Sequence, residues 1–474
     1  MTGASRVVAV SCGVSVLLGL VGIGSQSLWF DEGASVAYAH LDPASLAAAL
    51  QKSDVFFGLY YTLLHGWIAL FGESESSVRL LSVLCGAASV GTIAWAASLL
   101  GGRTAAAYAA ILAVADAFVF AVSREARPYS MLILVSSLEA VAFLRAARRP
   151  TRRRWIVFAA AGIIGAYVHL FALLSIVAFG FWSALRRRDL WNSGLPLALA
   201  VIAAAASPIV LIAARYGEIN GWIQRPGPGV AVRLMAEFAG SWPSFVLAAV
   251  VVMAAFFTAS RKKPVLRHGA VGFLAAWLCV PLAIAYLASL AKPVFVDKYL
   301  VEALPALIIA VALALKALSR PTVAAALGAW VLLSIPALRS EYGTGIEDWR
   351  DAASYVFANA SPGDAVSIYP QNGSIVYAYY RRRLGEAGPP MIFPRRTPFP
   401  FDTHADAGAG TVPATASDYR RLWLILDPLA ENPEGTPGAA RFLATIPHRF
   451  HRAGRKCYRR ITVLRFDAAR SPKT

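Results

Sequence analysis

Two adjacent carboxylates, Asp31 and Glu32, follow the first apolar run of the chain in the segment SLWFDEGASVAYAH. A carboxylate beside a membrane span is costly unless it serves a function, so the pair is a candidate for acid–base chemistry. The structural alternative is that Asp31 caps a helix beginning at Glu32. One general base suffices where the leaving group needs no proton, as with a phosphate ester. The pair therefore predicts group transfer at a membrane surface, with Asp31 as the base.

The cations that a departing phosphate needs occur at the ends of later apolar runs. Arg124 and Arg127 lie three residues apart in SREARPYS, on one face if this segment is helical. Lys298 and Tyr299 open another apolar run in VFVDKYL. Because guanidinium and ammonium groups bind phosphate oxygens, we expect Arg127 and Lys298, joined by Arg124 and Tyr299, to bind an anion. The alternatives are interfacial snorkelling of Arg124 and an ion pair between Asp297 and Lys298.

Glu32 and three more polar residues are candidates for substrate binding. Asp54 precedes an apolar segment that it could instead simply cap. His65 follows Tyr61 by four residues, which places both on one helix face, where a structural role is the alternative. His169, in the segment GAYVHLF, lies at the outer end of its predicted span. No metal-ligand spacing of the H-E-x-x-H kind occurs, so the residues support no metal site and leave a divalent metal open.

The composition indicates a membrane protein. Of 474 residues, 57% are hydrophobic and only 15% are charged, whereas soluble domains carry about 25% charged residues. The net charge of +18 comes in short clusters between apolar runs, such as Arg145–Arg154 and Arg186–Arg188. This pattern is typical of cytoplasmic loops. It excludes nucleic acid as a partner and predicts membrane lipids instead.

Apolar runs long enough to cross a bilayer, about 20 residues each, define the predicted spans. The sequence contains eleven: Val7–Ile23, Leu80–Leu100, Thr104–Val122, Tyr129–Ala146, Trp155–His169, Leu170–Leu185, Leu195–Ala213, Pro243–Ala259, Ala270–Leu290, Tyr299–Leu318 and Val323–Leu338. The run Phe57–Phe71 is shorter, and counting it as a span would put the basic clusters outside. We therefore predict juxtamembrane helices within one outer loop, Gly24–Arg79.

The last part of the chain has a different character. From Arg339 to Thr474 the apolar runs are short: EDWRDAASYVFANASPGD reads as an amphipathic helix, and AVSIY, RLWLILD and ITVLRF read as strands. We predict a polytopic α-helical membrane domain at residues 1–338, with the catalytic first outer loop at 24–79. A small extracytoplasmic α/β domain follows at residues 339–474.

The order of these motifs resembles a known family. The chain resembles GT-C glycosyltransferases of family 39 type in the order of seven segments. These are the first span, D-E in the first loop, LYYTLLHGWIALFGESESSVRLLSVLCG, SREARPYS, YVHLF, DKYLVEALP and EDWRDAASYV. The family includes bacterial relatives of the protein O-mannosyltransferases and of the lipid A aminoarabinose transferase. One departure is Val55–Gly58, where many relatives have His-Pro-Pro before Leu-Tyr-Tyr.

The resemblance implies a GT-C fold and a polyprenyl-phosphate sugar as donor. It implies an extracytoplasmic acceptor, which could be a protein, a glycolipid or a polysaccharide, at a bacterial inner membrane. By similarity, Asp31 matches the first-loop base and Arg127 the arginine of E-A-R-x-Y. Lys298 and Tyr299 match the pair associated with the lipid phosphate, and His169 the histidine of Y-x-H.

Three other functions remain open from the sequence. A flippase or transporter of lipid-linked sugars explains the spans and cations, but it needs neither the acid pair nor a sizeable outer domain. A non-catalytic assembly protein would make the polar membrane residues dispensable. A ligase that transfers a whole oligosaccharide keeps the enzyme class and changes only the donor.

Overall fold

A computed structural model describes residues 3–51, 54–216, 223–261, 268–343, 345–385, 388–394, 411–427 and 437–469. In chain order its helices are α1 (Gly3–Leu20), α2 (Phe30–Ala39), α3 (Pro43–Leu50), α4 (Gly58–Phe71), α5 (Glu75–Ala115), α6 (Ala117–Ser123), α7 (Tyr129–Arg148), α8 (Arg152–Val168), α9 (Ala172–Arg186), α10 (Leu195–Tyr216), α11 (Val230–Phe238), α12 (Trp242–Arg261), α13 (His268–Ala291), α14 (Leu304–Leu315), α15 (Arg320–Gly343), α16 (Trp349–Asn359), α17 (Ser374–Arg383) and α18 (Pro437–Ala444). Its strands are β1 (Asp364–Tyr369), β2 (Met391–Phe393), β3 (Arg421–Leu426), β4 (Phe450–Cys457) and β5 (Thr462–Ala468).

The predicted α-helical membrane fold is confirmed. Seven helices of the described residues are long and apolar enough to cross a membrane, and the bent pair α11–α12 would make an eighth. Each of the eleven predicted spans coincides with apolar helix. The difference in number arises mainly because α8 and α9 are short, at 17 and 15 residues, and because two predicted spans fall largely within α5.

A glycine divides α5 into the two predicted spans. Gly102 has a φ of +79°, a left-handed conformation that glycine adopts without the cost of a Cβ clash. The next break is made by Asp116, whose Oδ1 accepts hydrogen bonds from the main-chain N–H groups of Phe118 and Val119 at 3.0 Å. This N-cap starts α6 and sets the entry to the segment that carries Arg124 and Arg127.

The described chain forms two compact units. The first contains Met1–Ile23, Asp54–Leu63 and Ser76–Tyr342, and the second contains Gly24–Ser53, Leu64–Glu75 and Gly343–Thr474. The predicted division at residues 338/339 stays a prediction. The second unit also takes in most of the loop that we assigned to the membrane domain.

The second unit contains one five-stranded mixed sheet, with strand order β2-β1-β3-β5-β4. Strands β2, β1 and β3 are parallel, and β5 runs antiparallel to both β3 and β4. One face packs into a hydrophobic core that includes Leu424, Phe442 and Leu464. The predicted amphipathic helix is α16, and the predicted strands are β1, β3 and β5.

Strands β2 and β4 were not expected from the sequence. Strand β2 has only three residues, and β4 reads FHRAGRKC, with most side chains exposed. Both lie at an edge of the sheet, where short or charged strands resist pairing with other chains. An edge strand that is exposed to solvent on both faces lacks the alternation of apolar and polar residues by which a strand is predicted from sequence.

Candidate functional site

In the first unit, Arg127 lies among aromatic rings and is only 5% exposed. Its guanidinium is 4.9 Å from the Phe57 ring centroid, a cation–π distance. Its Nη1 donates to the Tyr61 hydroxyl at 3.5 Å and its Nη2 to the Tyr129 hydroxyl at 3.4 Å. These hydrogen bonds are long, so a phosphate oxygen could replace them with shorter, charge-assisted bonds.

The ring of His169 belongs to the same aromatic cluster and is 1% exposed. Its centroid lies 5.0 Å from that of Tyr299 and 5.2 Å from that of Phe57. Nδ1 accepts the main-chain N–H of Phe171 at 3.1 Å, so the neutral ring carries its hydrogen on Nε2. Nε2 has no hydrogen-bond partner among the described residues. A buried N–H without an acceptor is costly, which makes it a candidate donor to an anion.

Lys298 and Tyr299 lie in a 3₁₀ turn, Asp297–Ala303, directly before α14. The Lys298 ammonium donates to both carboxylate oxygens of Glu125, at 2.7 and 2.9 Å, and is 5.7 Å from the Tyr129 ring centroid. The structure thus brings Arg127, His169, Lys298 and Tyr299 together around shared aromatic neighbours. We call Arg127, His169, Lys298 and Tyr299 the cationic cluster.

Arg124 has different partners. Its Nη1 donates to the carbonyls of Gly19 and Val21 at 3.0 and 2.6 Å, and its Nη2 donates to the carbonyl of Gly22 at 3.1 Å. These carbonyls lie at the C-terminal end of α1, where a helix leaves its last acceptors unsatisfied and favours a positive charge. Phosphate binding by Arg124 stays a prediction, and these contacts favour a capping role.

Asp54 is connected to the cationic cluster through a tyrosine. The Tyr61 hydroxyl donates to Asp54 Oδ2 at 3.4 Å and accepts from Arg127 at 3.5 Å. Asp54 has a φ of +54°, which is uncommon for a residue other than glycine and often marks a functional position. Its side chain accepts no capping hydrogen bond from the turn that follows. These observations leave Asp54 as a candidate for substrate binding.

In the second unit, Asp31 lies in the first turn of α2, which begins at Phe30. The N-cap position belongs to Trp29, so Asp31 is not needed to cap the helix. Glu32 is 1% exposed, and its Oε2 accepts the main-chain N–H of Trp29 at 3.4 Å. The two acids therefore have different positions. Glu32 supports the start of the helix, while the half-buried Asp31 places a carboxylate at the positive end of the helix dipole.

Glu347 fixes the start of this helix from a distant part of the sequence. Its Oε2 accepts the main-chain N–H of Phe30 and the indole N–H of Trp349, both at 2.8 Å. Burial raises the pKa of Glu347, and the nearby Asp31 carboxylate raises it further. Burial also raises the pKa of Asp427 well above its usual range, with a further contribution from Glu347.

His65, the remaining predicted residue, also lies in the second unit. Its Nδ1 is 2.7 Å from the carbonyl oxygen of Ala39, the last residue of α2. A carbonyl only accepts hydrogen bonds, so Nδ1 is the donor. This contact holds the end of α2, which favours the structural alternative for His65.

Residues from the C-terminal part of the chain also hold the segment before α2. The Arg350 guanidinium donates to the carbonyls of Gly24, Ser25 and Gln26. It also donates to the Glu75 carboxylate at 2.8 Å. One side chain therefore satisfies several main-chain acceptors, and it fixes the path of the backbone towards Asp31.

Tyr380→Phe should lower the free energy of unfolding by about 1–3 kcal/mol, since the Tyr380 hydroxyl accepts the buried main-chain N–H of Leu28 at 2.7 Å. Thermal unfolding of the purified protein in detergent measures the loss. The matched control is Tyr377→Phe, because the buried Tyr377 hydroxyl has no hydrogen-bond partner among the described residues. Equal destabilisation by both changes would show that the hydrogen bond to Leu28 contributes nothing.

Sequence reasoning missed several residues of these arrangements. Glu125 and Tyr129 both lie in SREARPYS, where only the two arginines carry the positive charge that a phosphate site requires. From the sequence, Tyr61 is recognisable only as a neighbour of His65 on one helix face. Glu347 lies 317 residues from its hydrogen-bond partner, and no local pattern could indicate such a contact.

Solved structures share the architecture of this chain. ArnT from Cupriavidus metallidurans bound to undecaprenyl phosphate matches with a TM-score of 0.62 and 15% identity, covering 98% of each chain. The archaeal oligosaccharyltransferase AglB from Archaeoglobus fulgidus, in complex with an inhibitory peptide and a dolichol-phosphate, matches with a TM-score of 0.54 and 12% identity. That match covers 89% of this chain and 69% of AglB. The fold is therefore that of the GT-C glycosyltransferases.

A family model refines this class. Residues 59–212 match the model described as dolichyl-phosphate-mannose-protein mannosyltransferase. Among curated protein sequences, none matches the chain. The family model and the shared fold confirm the resemblance to GT-C glycosyltransferases of family 39 type.

Proposed function

We propose that the protein is a membrane glycosyltransferase that transfers a sugar from a polyprenyl-phosphate donor to an acceptor hydroxyl outside the cytoplasm. The observation that carries the proposal is the cationic cluster. In it, the buried Arg127 guanidinium and the His169 ring both contact Phe57, and the His169 Nε2–H has no acceptor in the described chain. Such a group of donors suits a phosphate, and the surrounding aromatic rings suit the first isoprene units of a lipid.

The donor phosphate would bind to Arg127 and Lys298, with His169 and Tyr299 completing its hydrogen bonds. Arg127 supplies a fork of donors, and Lys298 supplies a compact charge. As the bond to the sugar breaks, negative charge develops on the departing phosphate. Cations that are already in position stabilise this charge without reorganising, which is usually a large contribution to catalysis.

Asp31 would act as the general base. It takes the proton from the acceptor hydroxyl as the oxygen forms a bond to the anomeric carbon. The bond from that carbon to the phosphate oxygen breaks, and its electron pair leaves with the polyprenyl phosphate. A single displacement of this kind inverts the anomeric configuration. No protonation of the leaving group is needed, so one carboxylate is sufficient.

The other predicted residues receive supporting roles. Asp54 would orient Arg127 through Tyr61, while Glu32 and His65 would hold the two ends of α2. The C-terminal region, residues 339–474, would contribute to the choice of acceptor on the extracytoplasmic side of a bacterial inner membrane. The similarity to ArnT bound to undecaprenyl phosphate and to AglB with a dolichol-phosphate supports a polyprenyl-phosphate donor.

A transfer assay tests this function. Purified protein in lipid receives a panel of radiolabelled donors together with a cell-envelope extract as acceptor. The donors are polyprenyl-phosphate mannose, glucose, arabinose and amino sugars, and a lipid-linked oligosaccharide. We expect label from one donor to move to the acceptor. If no label is transferred while the protein still retains the donor, the proposed glycosyltransferase activity is contradicted and a flippase is favoured. Transfer from a lipid-linked oligosaccharide alone would identify a ligase.

A further inference from the structure

The Glu125 carboxylate forms an ion pair with the ammonium of Lys298, the group that we propose binds the donor phosphate. Both of its oxygens accept from Lys298 Nζ, at 2.7 and 2.9 Å. The two side chains are only 15% and 25% exposed, so water and salt screen their attraction less than they would at an open surface. The proposed mechanism gives Glu125 no role, because Asp31 is the base and a carboxylate carries the wrong charge to bind a phosphate.

Other charges face this ion pair. Glu341 lies near enough to interact electrostatically with Glu125, Lys298 and Arg124. Arg124 donates to main-chain carbonyls at the C-terminal end of α1, and its guanidinium also lies 4.8 Å from the Tyr342 ring centroid. A phosphate arriving at Lys298 therefore meets two carboxylates as well as the cations. Like charges within a few ångströms repel strongly where water is scarce.

We propose that Glu125 competes with the lipid phosphate for Lys298. It holds the ammonium when no phosphate is bound, gives it up when the donor binds, and takes it again when the product leaves. This inference rests on the proposed function, because it requires a phosphate at Lys298. The physical basis is that an ammonium has three hydrogens and one positive charge, for which a carboxylate and a phosphate compete.

The charge of the product explains why such a competitor is useful. The donor is a phosphodiester with one negative charge, whereas the released polyprenyl phosphate is a monoester with about 1.5–2 negative charges at pH 7. The cationic cluster would therefore hold the product more tightly than the donor and slow each turnover. A tethered carboxylate has a high effective concentration at Lys298, which weakens both complexes and opposes retention of the more highly charged product.

Glu125→Gln tests the inference, with undecaprenyl phosphate in lipid nanodiscs as the probe. Removing the competing charge should tighten binding of undecaprenyl phosphate about fivefold or more, and lower the concentration that half-inhibits transfer by a similar factor. The matched control is Asp297→Asn, because Asp297 Oδ1 accepts the main-chain N–H of Lys298 instead of its ammonium. This control should bind the probe as wild type does.

Two further variants separate the possible outcomes. Lys298→Gln should weaken binding of the probe. If it does not, phosphate binding at Lys298 fails, and the role of Glu125 fails with it. If Lys298→Gln weakens binding but Glu125→Gln binds equally or less tightly than wild type, Glu125 is only a structural partner and the inference is overturned. If the glutamine variant does not fold, Glu125→Asp replaces it, because aspartate keeps the charge on a shorter side chain. The inference then predicts that Glu125→Asp binds undecaprenyl phosphate more tightly than wild type, and an affinity equal to or weaker than wild type overturns it.

Discussion

Asp31→Asn should bind the lipid-linked donor as tightly as wild type does and transfer sugar about 10²–10⁴-fold more slowly, the usual contribution of a general base. The asparagine has nearly the same shape but cannot accept the proton of the acceptor hydroxyl. The fold should survive, since the start of α2 depends on the main-chain N–H of Phe30 and on Glu347. Initial rates of label transfer and a donor-binding assay, both on the same preparation, measure the two effects separately.

Glu32→Gln is the control for this change. It also removes a negative charge from the first turn of α2, but the amide oxygen can still accept the main-chain N–H of Trp29. We expect its transfer rate to stay within about tenfold of wild type, well short of the loss of a general base. A folded Asp31→Asn protein with the wild-type rate would refute the assignment of Asp31, and equal losses in both variants would point to the charge of the helix start.

Arg127→Gln should raise the KM for the lipid-linked sugar about 10–100-fold. This corresponds to the loss of hydrogen bonds from a charged guanidinium to a phosphate. Arg127→Lys should recover only part of this loss, because an ammonium keeps the charge but cannot present the planar fork of a guanidinium. Donor titrations at fixed acceptor give the KM, and direct binding of the donor gives the affinity independently.

Arg124→Gln provides the comparison for Arg127. The two arginines are three residues apart and similarly buried, but Arg124 donates to carbonyls at the C-terminal end of α1. We expect its loss to lower the thermal stability and to leave the KM for the donor nearly unchanged. If the KM rises as much as in Arg127→Gln, Arg124 binds the phosphate, as the sequence alone predicts. An unchanged KM in both variants would reject a phosphate site at this segment.

Much of the membrane fold could be predicted because lipid imposes simple requirements. A span must be apolar over its whole length and must satisfy its main-chain groups internally, so hydrophobic runs mark the helices directly. The break of α5 at Gly102 agrees with the two separate spans predicted there, Leu80–Leu100 and Thr104–Val122. Strands β1, β3 and β5 were recognisable from their apolar residues, whereas the exposed edge strand β4 was not.

The candidate site could be predicted in its residue types but not in its pairings. Arg127, Lys298 and His169 stood out because charged or polar residues are conspicuous beside apolar runs. Their partners come from distant parts of the chain, such as Glu125, which is 173 residues from Lys298. Whether an arginine binds a ligand or caps a helix depends on such contacts, and two arginines in one short motif cannot be distinguished without them.

The hydrogen bonds that hold the segment before α2 have a consequence for synthesis of the protein. Leu28 and Phe30 depend on Tyr380 and Glu347, which follow them by 352 and 317 residues. At roughly 5–20 residues per second, a ribosome needs about 15–70 s to make the intervening chain. During this time the segment before α2 and the start of α2 lack their hydrogen bonds to Tyr380 and Glu347. A chain that ends before Glu347 would therefore lack both of the hydrogen bonds that hold Leu28 and Phe30.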